Sequence, residues 1–196
     1  MKILALDIGY SNMGWVVHNG KVVGAGVITT EKSQKKSARV ADDNAYRSAL
    51  LARGLTNLVR LYTIKGIVAE LPSGGAQNAQ AMAKMNMASA ITAAVAEILG
   101  VPIEYYTPGD VKKSMTGYAG ATKEMMMQEA VKRFGGTVTA KSVSCKKSKN
   151  FPDGVRQNSK YHLCGQEWPA GAFEHIADAC GVIEAARTGV LMRMAG

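Results

Sequence analysis

Apolar residues change their spacing several times along this chain, and each change marks an element. Residues 2–8 are apolar nearly throughout, with Ile3 to Leu6 unbroken before Asp7, which predicts a strand covered on both faces, as a central strand is. In NMGWVVHNGKVVGAGVITT, apolar runs flank Asn19-Gly20, a two-residue hairpin signal. The first three strands are therefore expected to form an antiparallel meander. Residues 29–41 are polar and basic and predict an exposed loop. Over 42–62, Tyr46, Leu50, Leu51, Leu55, Leu58, Val59 and Tyr62 recur at helical spacing. Gly66 then leads into the strand IVAEL, in which Glu70 follows three apolar residues. Residues 76–99 predict a long Ala/Met-rich helix that Gly100 terminates, and VPIEYY predicts a fifth strand. Pro108 suits the first turn of a short helix, and Thr122 suits the cap of another that runs through Phe134. Residues 135–172 lose the pattern. They are rich in Gly, Ser and Lys, show little periodicity, and predict a long irregular insertion of the kind that is usually functional. Residues 173–192 predict a final helix.

The order is β-β-β-α-β-α-β-α-α, closed by that last helix. An antiparallel, hairpin-linked half is followed by βαβ units, which cross over right-handed. The expected class is α/β: a mixed sheet with helices on both faces. A length of 196 residues suits a single domain over 1–196, with 135–172 inserted in it.

Composition narrows the function. With 47% hydrophobic and 20% charged residues the chain reads as globular. A formal net charge of +9 favours a polyanionic partner, nucleic acid first. No long uncharged apolar stretch is present, so no membrane span is expected, and the opening MKILALDIGYSN does not read as a secretory leader. Three sparse cysteines, Cys145, Cys164 and Cys180, suit reduced thiols and a cytoplasmic setting. Cys145, His162 and Cys164 fit no standard zinc spacing, and a fourth ligand is not evident.

Four residues carry the candidate chemistry. Asp7 and Glu70 each stand at the end of an apolar strand, where a carboxylate is costly unless something balances its charge. His175 and Asp178 are three apart in EHIADACGVIEAA, on one face of a helix, and Glu174 shares a face with Asp178 at spacing four. A divalent cation would balance such a set. Singly, each has an ordinary alternative: a turn aspartate, a strand-end glutamate, a capping pair. The start of the chain also fits the first phosphate loop of actin-like ATPases and sugar kinases. In TPGDVKKSMTGYAGATKE, Lys112 and Lys113 precede a Gly-containing turn and Lys123 begins the next helix. Lysines so placed can neutralise a phosphate or lie on a solvated helix edge.

These motifs, in this order, resemble the RuvC-type Holliday junction resolvases of the RNase H-like nuclease superfamily, with a phage-type member left open. LALDIG is similar to that family's first motif, IVAE to its second, and NAQAMAKMNMASAI to the helix that follows. TPGDVKKSMTGYAGATKE is the most specific match, and HIADACGVIEAA is similar to the last motif. The resemblance implies a five-stranded RNase H-like sheet, three strands antiparallel and then parallel βαβ units. It implies Asp7, Glu70, His175 and Asp178 as metal ligands, with Lys112 and Lys123 at the family's basic positions. The cofactor implied is Mg²⁺, two ions about 4 Å apart, with Mn²⁺ tolerated. The activity implied is that of a crossover junction endodeoxyribonuclease: a homodimer that cuts four-way DNA junctions by paired symmetric nicks and leaves 5′-phosphates, its branch-migration helicase unidentified. Two departures stand out. Ser73 replaces an aromatic that in the family often stacks on bases, and 135–172 is longer than the usual connection. Lys146, Lys147, Lys149, Arg156 and Lys160, with Tyr161 and Trp168 interleaved, suit a flexible contact to the DNA backbone. With Ser73 and Lys113 they complete the expected DNA-contacting set. The alternatives are a relaxed nuclease cutting flaps, forks and three-way junctions, an actin-like ATPase, and a non-catalytic DNA-binding module.

Overall fold

The computed structural model describes residues 1–35, 37–72, 79–144, 146, 153 and 155–195. The chain opens with β1 (Ile3–Asp7), β2 (Asn12–His18) and β3 (Val22–Thr29), then α1 (Val40–Tyr62), β4 (Gly66–Glu70), α2 (Ala79–Ile98) and β5 (Ile103–Tyr106). These strands form one five-stranded sheet in the order β3-β2-β1-β4-β5. β1 runs antiparallel to β2 and parallel to β4, and β4 runs parallel to β5. The expected mixed α/β sheet is therefore present, with the uninterrupted apolar strand β1 at its centre.

Alternation along β1 and β4 feeds two cores. Leu4, Leu6, Ile67 and Ala69 point to the face covered by α1 and α2, where Leu51, Leu55, Ala88 and Val95 are buried. Ile3, Ala5 and Val68 point to the opposite face, with Phe173, Ile176, Ala177 and Cys180. That second face is covered by α5 (Ala170–Ala186), on which α3 (Pro108–Thr116) and α4 (Lys123–Phe134) pack. The helix starts are those the sequence signals. Pro108 stands at the start of α3 behind the Thr107 cap, and the Thr122 side chain accepts from the Met125 N–H.

Three expectations need correction. Residues 135–172 are not an irregular insertion throughout. Among the described residues they hold β6 (Thr137–Ser144), β7 (Val155–Leu163) and β8 (Gln166–Pro169), an antiparallel sheet in the order β6-β7-β8. β7 and β8 are joined at Cys164-Gly165, whose φ values of +52° and +73° are those of a tight type I′ hairpin. The strands escape an apolar-period reading because β6 is exposed along almost its whole length. The aromatics of this segment also do other work than expected. Tyr161 stacks on Phe173 with ring centroids 4.5 Å apart and planes 7° apart, and Trp168 packs against the same core. They fasten the small sheet to α5, which is not the flexible contact to DNA expected of them.

The final helix is likewise two: α5 ends at Ala186, and α6 (Val190–Ala195) follows after a turn closed by the Gly189 N–H on the Ala186 carbonyl. Among the described residues no helix is long and apolar enough to cross a membrane.

Candidate active site

Register brings the first two acids together. Asp7 and Glu70 are direct neighbours across the parallel β1–β4 ladder, each the last residue of its strand. They share the parity of Ala5 and Val68, so both side chains leave the sheet on the α5 face. α5 supplies the rest. Its buried stripe, from Phe173 to Ala186, seats it on that face, and His175 and Asp178 lie at the half-buried margin of the stripe.

A glycine sets how close α5 can come. Gly14 is the residue opposite Asp7 on β2, and a β-carbon there would collide with the His175 carbonyl. Further along α5, Gly181 allows a similar approach, since a β-carbon there would meet Val111 and Met126 at 2.8 Å. The signal for Gly14 is in the sequence: an isolated glycine within an apolar strand often marks a close backbone approach.

The side chains meet in a cleft of about 280 Å³ lined by Asp7, Glu70, Lys112, Lys123 and Asp178. His175 Nδ1 lies 2.8 Å from Asp7 Oδ2. That hydrogen bond holds the imidazole pKa above its ordinary value against the opposing effect of burial. Burial pushes the Glu70 carboxyl up to about 8, with Asp7 and Asp178 adding to it and Lys112 offsetting some of the rise. Burial also pushes Asp178 up to about 7, reinforced by Asp7 and Glu174 and opposed by His175 and Lys112. The cleft is thus an acidic cluster with too little positive charge of its own.

Lys112 is the cation that opposes both raised carboxyls. Lys123 lines the cleft but is ion-paired with Glu174, which holds its pKa up. In the sequence Glu174 reads only as a neighbour of Asp178; its partnership with Lys123 is visible only once α4 and α5 are packed together. Lys113 is exposed and is not among the residues lining the cleft. Lys146 is exposed, and Lys160 lies 2.9 Å from Glu167. Ser73, Lys147, Lys149 and Cys145 lie outside the described residues, as does the side chain of Arg156.

Among the described residues, no three His, Cys, Asp or Glu side chains stand as a ready-made ion cage. The chemistry of the donor set nevertheless fits a hard divalent cation. Three carboxylates face one cleft, two of them are pushed towards neutrality by burial and by Asp7, and oxygen ligands are what Mg²⁺ and Mn²⁺ take.

No protein-family model matches the chain. A protein named crossover junction endodeoxyribonuclease RuvC from Chloroflexus aurantiacus is 28% identical over 145 residues, 71% of this chain and 82% of that one. The protein of the same name from Caldanaerobacter subterraneus is 29% identical over 133 residues, 65% of this chain and 75% of that one. Among solved structures, T. thermophilus RuvC in complex with a Holliday junction substrate superimposes with a TM-score of 0.59 at 14% identity, covering 94% of this chain and 95% of that one. A second structure of Thermus thermophilus RuvC gives 0.57 at 16% identity, covering 93% and 95%. The chain is thus similar in sequence to proteins named RuvC, and it shares the fold of T. thermophilus RuvC.

Proposed function

We propose that this chain is a metal-dependent, structure-selective endodeoxyribonuclease that resolves four-way DNA junctions. It would do so as a homodimer by paired symmetric nicks, leaving 5′-phosphates. The observation that carries the proposal is the convergence of Asp7, Glu70 and Asp178, from β1, β4 and α5, on one cleft with Lys112 in a RuvC-type chain. Residues 1–196 form the nuclease domain, with 135–172 as a basic insertion, working in the cytoplasm.

Asp7, Glu70 and Asp178 would hold Mg²⁺, with Mn²⁺ tolerated. When bound, the metal supplies Lewis-acid polarisation of the scissile phosphate and a more acidic water. The chain's own groups do the positioning. His175 fixes the orientation of the Asp7 carboxylate through Nδ1, which leaves Nε2 for a water or a ligand. Lys112, between the two raised carboxyls, opposes the negative charge that a phosphate brings. Lys123 is held at the rim by Glu174. Lys113, Lys146 and Lys160, with Ser73, Lys147, Lys149 and Arg156, form the proposed contacts to the DNA backbone.

The test is cleavage of a synthetic four-way junction by wild type and Asp7→Asn, in Mg²⁺ and in Mn²⁺, beside a three-way flap. Wild type should nick the junction in symmetric pairs in both metals. Asp7→Asn should lose cleavage by at least about 10²–10³-fold and keep binding. No cutting of either substrate in either metal would sink the nuclease reading; equal cutting of both would replace junction resolution with a broader branched-DNA activity.

A further inference from the structure

A second cavity, of about 460 Å³, lies between the segment joining β3 to α1, the first turns of α1 and the N-terminal half of α2. Its volume falls in the roughly 300–1,000 Å³ range of sites that enclose small organic ligands. It is separate from the catalytic cleft although both use α2. Met85 lines the catalytic cleft, whereas Lys84 and Met87 line this one.

Its lining carries two kinds of charged group. Lys32, Lys35 and Lys84 are cationic. Asp43 is a carboxylate: it is 9% exposed, and its Oδ1 accepts the Ser33 N–H at 2.7 Å. Its second oxygen has no hydrogen-bond partner among the described residues. An open acceptor in a cavity wall calls for a donor. Asn44 also lines the cavity, and Val40 and Met87 supply apolar wall. A neighbouring cleft shares Ser33 and Asp43 but is lined by Glu31 and Asp42, so an anionic group belongs with the lysines of the larger cavity. A bare anion would meet Asp43, and a simple cation would meet three lysines. A nucleotide satisfies both kinds of group, with phosphate for the lysines and base N–H groups for the carboxylate.

We propose that this cavity takes one unstacked nucleotide of a DNA strand. Its phosphate lies on Lys35 and Lys84, and the N–H groups of its base donate to Asp43 between the apolar walls. The proposal rests on the nuclease reading only for DNA as the source of the nucleotide. Guanine, with two N–H groups on adjacent atoms, should fit Asp43 better than thymine, which has one.

The two methionines report on the two clefts separately. The full chain, with ¹³C-methyl methionine and no added divalent ion, is titrated with dGMP. The Met87 methyl signal should move saturably while that of Met85 stays in place, and dTMP should bind more weakly. The double variant Lys35→Glu/Lys84→Glu, at surface positions, should weaken the dGMP response by about tenfold or more. Asp43→Asn should erase the preference for dGMP over dTMP. An equal Met87 shift with inorganic phosphate alone would reduce the site to an anion patch and overturn the proposal. So would a dGMP response confined to Met85, or none at Met87. Junction cleavage without a Met87 response would overturn the pocket alone; a Met87 response in a chain that cuts no DNA would overturn the nuclease reading alone.

Discussion

The two sheets of this protein solve different problems. In the five-stranded sheet every residue of β1 before Asp7 is buried, and α5 packs across β1, β2 and β4. Burial and register then determine where the acids emerge. In the three-stranded sheet β6 is exposed along nearly all its length, and the attachment to the rest of the chain runs through Leu163, Tyr161 and Trp168. The first sheet couples packing to chemistry, so a small change should damage both. The second hangs from a few side chains, so a change there should loosen the sheet and spare the acidic cleft.

The largest effect is expected where packing and chemistry share one atom. Gly14→Ala places a methyl against the His175 carbonyl, and a backbone group cannot step aside as a side-chain tip can. We expect a loss of about 3 kcal/mol in denaturant unfolding. α5 must shift away from Asp7, and a misplacement of about 1 Å can lower a rate about 100-fold. A Gly14→Ala protein with wild-type junction cleavage would break the claimed coupling.

The converse case is Tyr161→Ala. It removes the ring stacked on Phe173 and should cost about 2 kcal/mol in the attachment of the small sheet. Hydrogen exchange should speed up through β6, β7 and β8 and stay slow in β1 and β4. Uniform acceleration across both sheets would show that they unfold as one unit, and the contrast between them would fall.

A third test uses the acids themselves. The folded-state pKa values of Glu70 and Asp178, about 8 and about 7, lie above their ordinary values of 4.5 and 3.8. Between ordinary and raised values the folded chain binds more protons than the unfolded one. Stability of the metal-free protein should therefore fall as pH rises through that window and be regained as pH is lowered again. Glu70→Gln should flatten much of this slope and raise stability near the top of the window by about 1–2 kcal/mol, less than the full shift because water reaches the cleft. The same change should remove cleavage, the usual trade between stability and function at a charged site. Mg²⁺ should oppose the slope by favouring the ionised carboxylates. An unfolding midpoint that does not vary with pH in EDTA would remove the electrostatic account of the cleft.

The contrast also explains what can be read in the sequence. Asp7 and Glu70 are legible because each interrupts an apolar run, and a two-residue periodicity then assigns them a face. Pro108 and Thr122 are legible because helix starts have local chemistry. The small sheet is not legible by apolar period, because an exposed strand has none. Its available signals are the β-branched Thr137, Val138, Thr139 and Val143 and the turn at Cys164-Gly165. Tyr161 and Trp168 mislead because aromatics among lysines suit nucleic acid and a core edge equally well. The Lys123–Glu174 pair and the Gly14–His175 contact depend on how α5 docks, which no local pattern contains.

The smallest effect concerns Trp168, which shows that the small sheet is attached by shape more than by polar bonding. Its Nε1 is buried without a hydrogen-bond partner among the described residues, whereas its ring packs against the core beside Tyr161. A buried unpaired donor costs about 1–3 kcal/mol, and a phenyl ring keeps some of the apolar contact without that donor. The smaller ring gives up some area, which offsets a share of the gain. Trp168→Phe should therefore lie within about 1 kcal/mol of wild type in denaturant unfolding, with junction cleavage unchanged. A loss of several kcal/mol would mean that the indole N–H is satisfied in solution, by water or by a segment outside the described residues. The small sheet would then be tied to the core by a polar contact, and the difference between the two sheets would be one of degree.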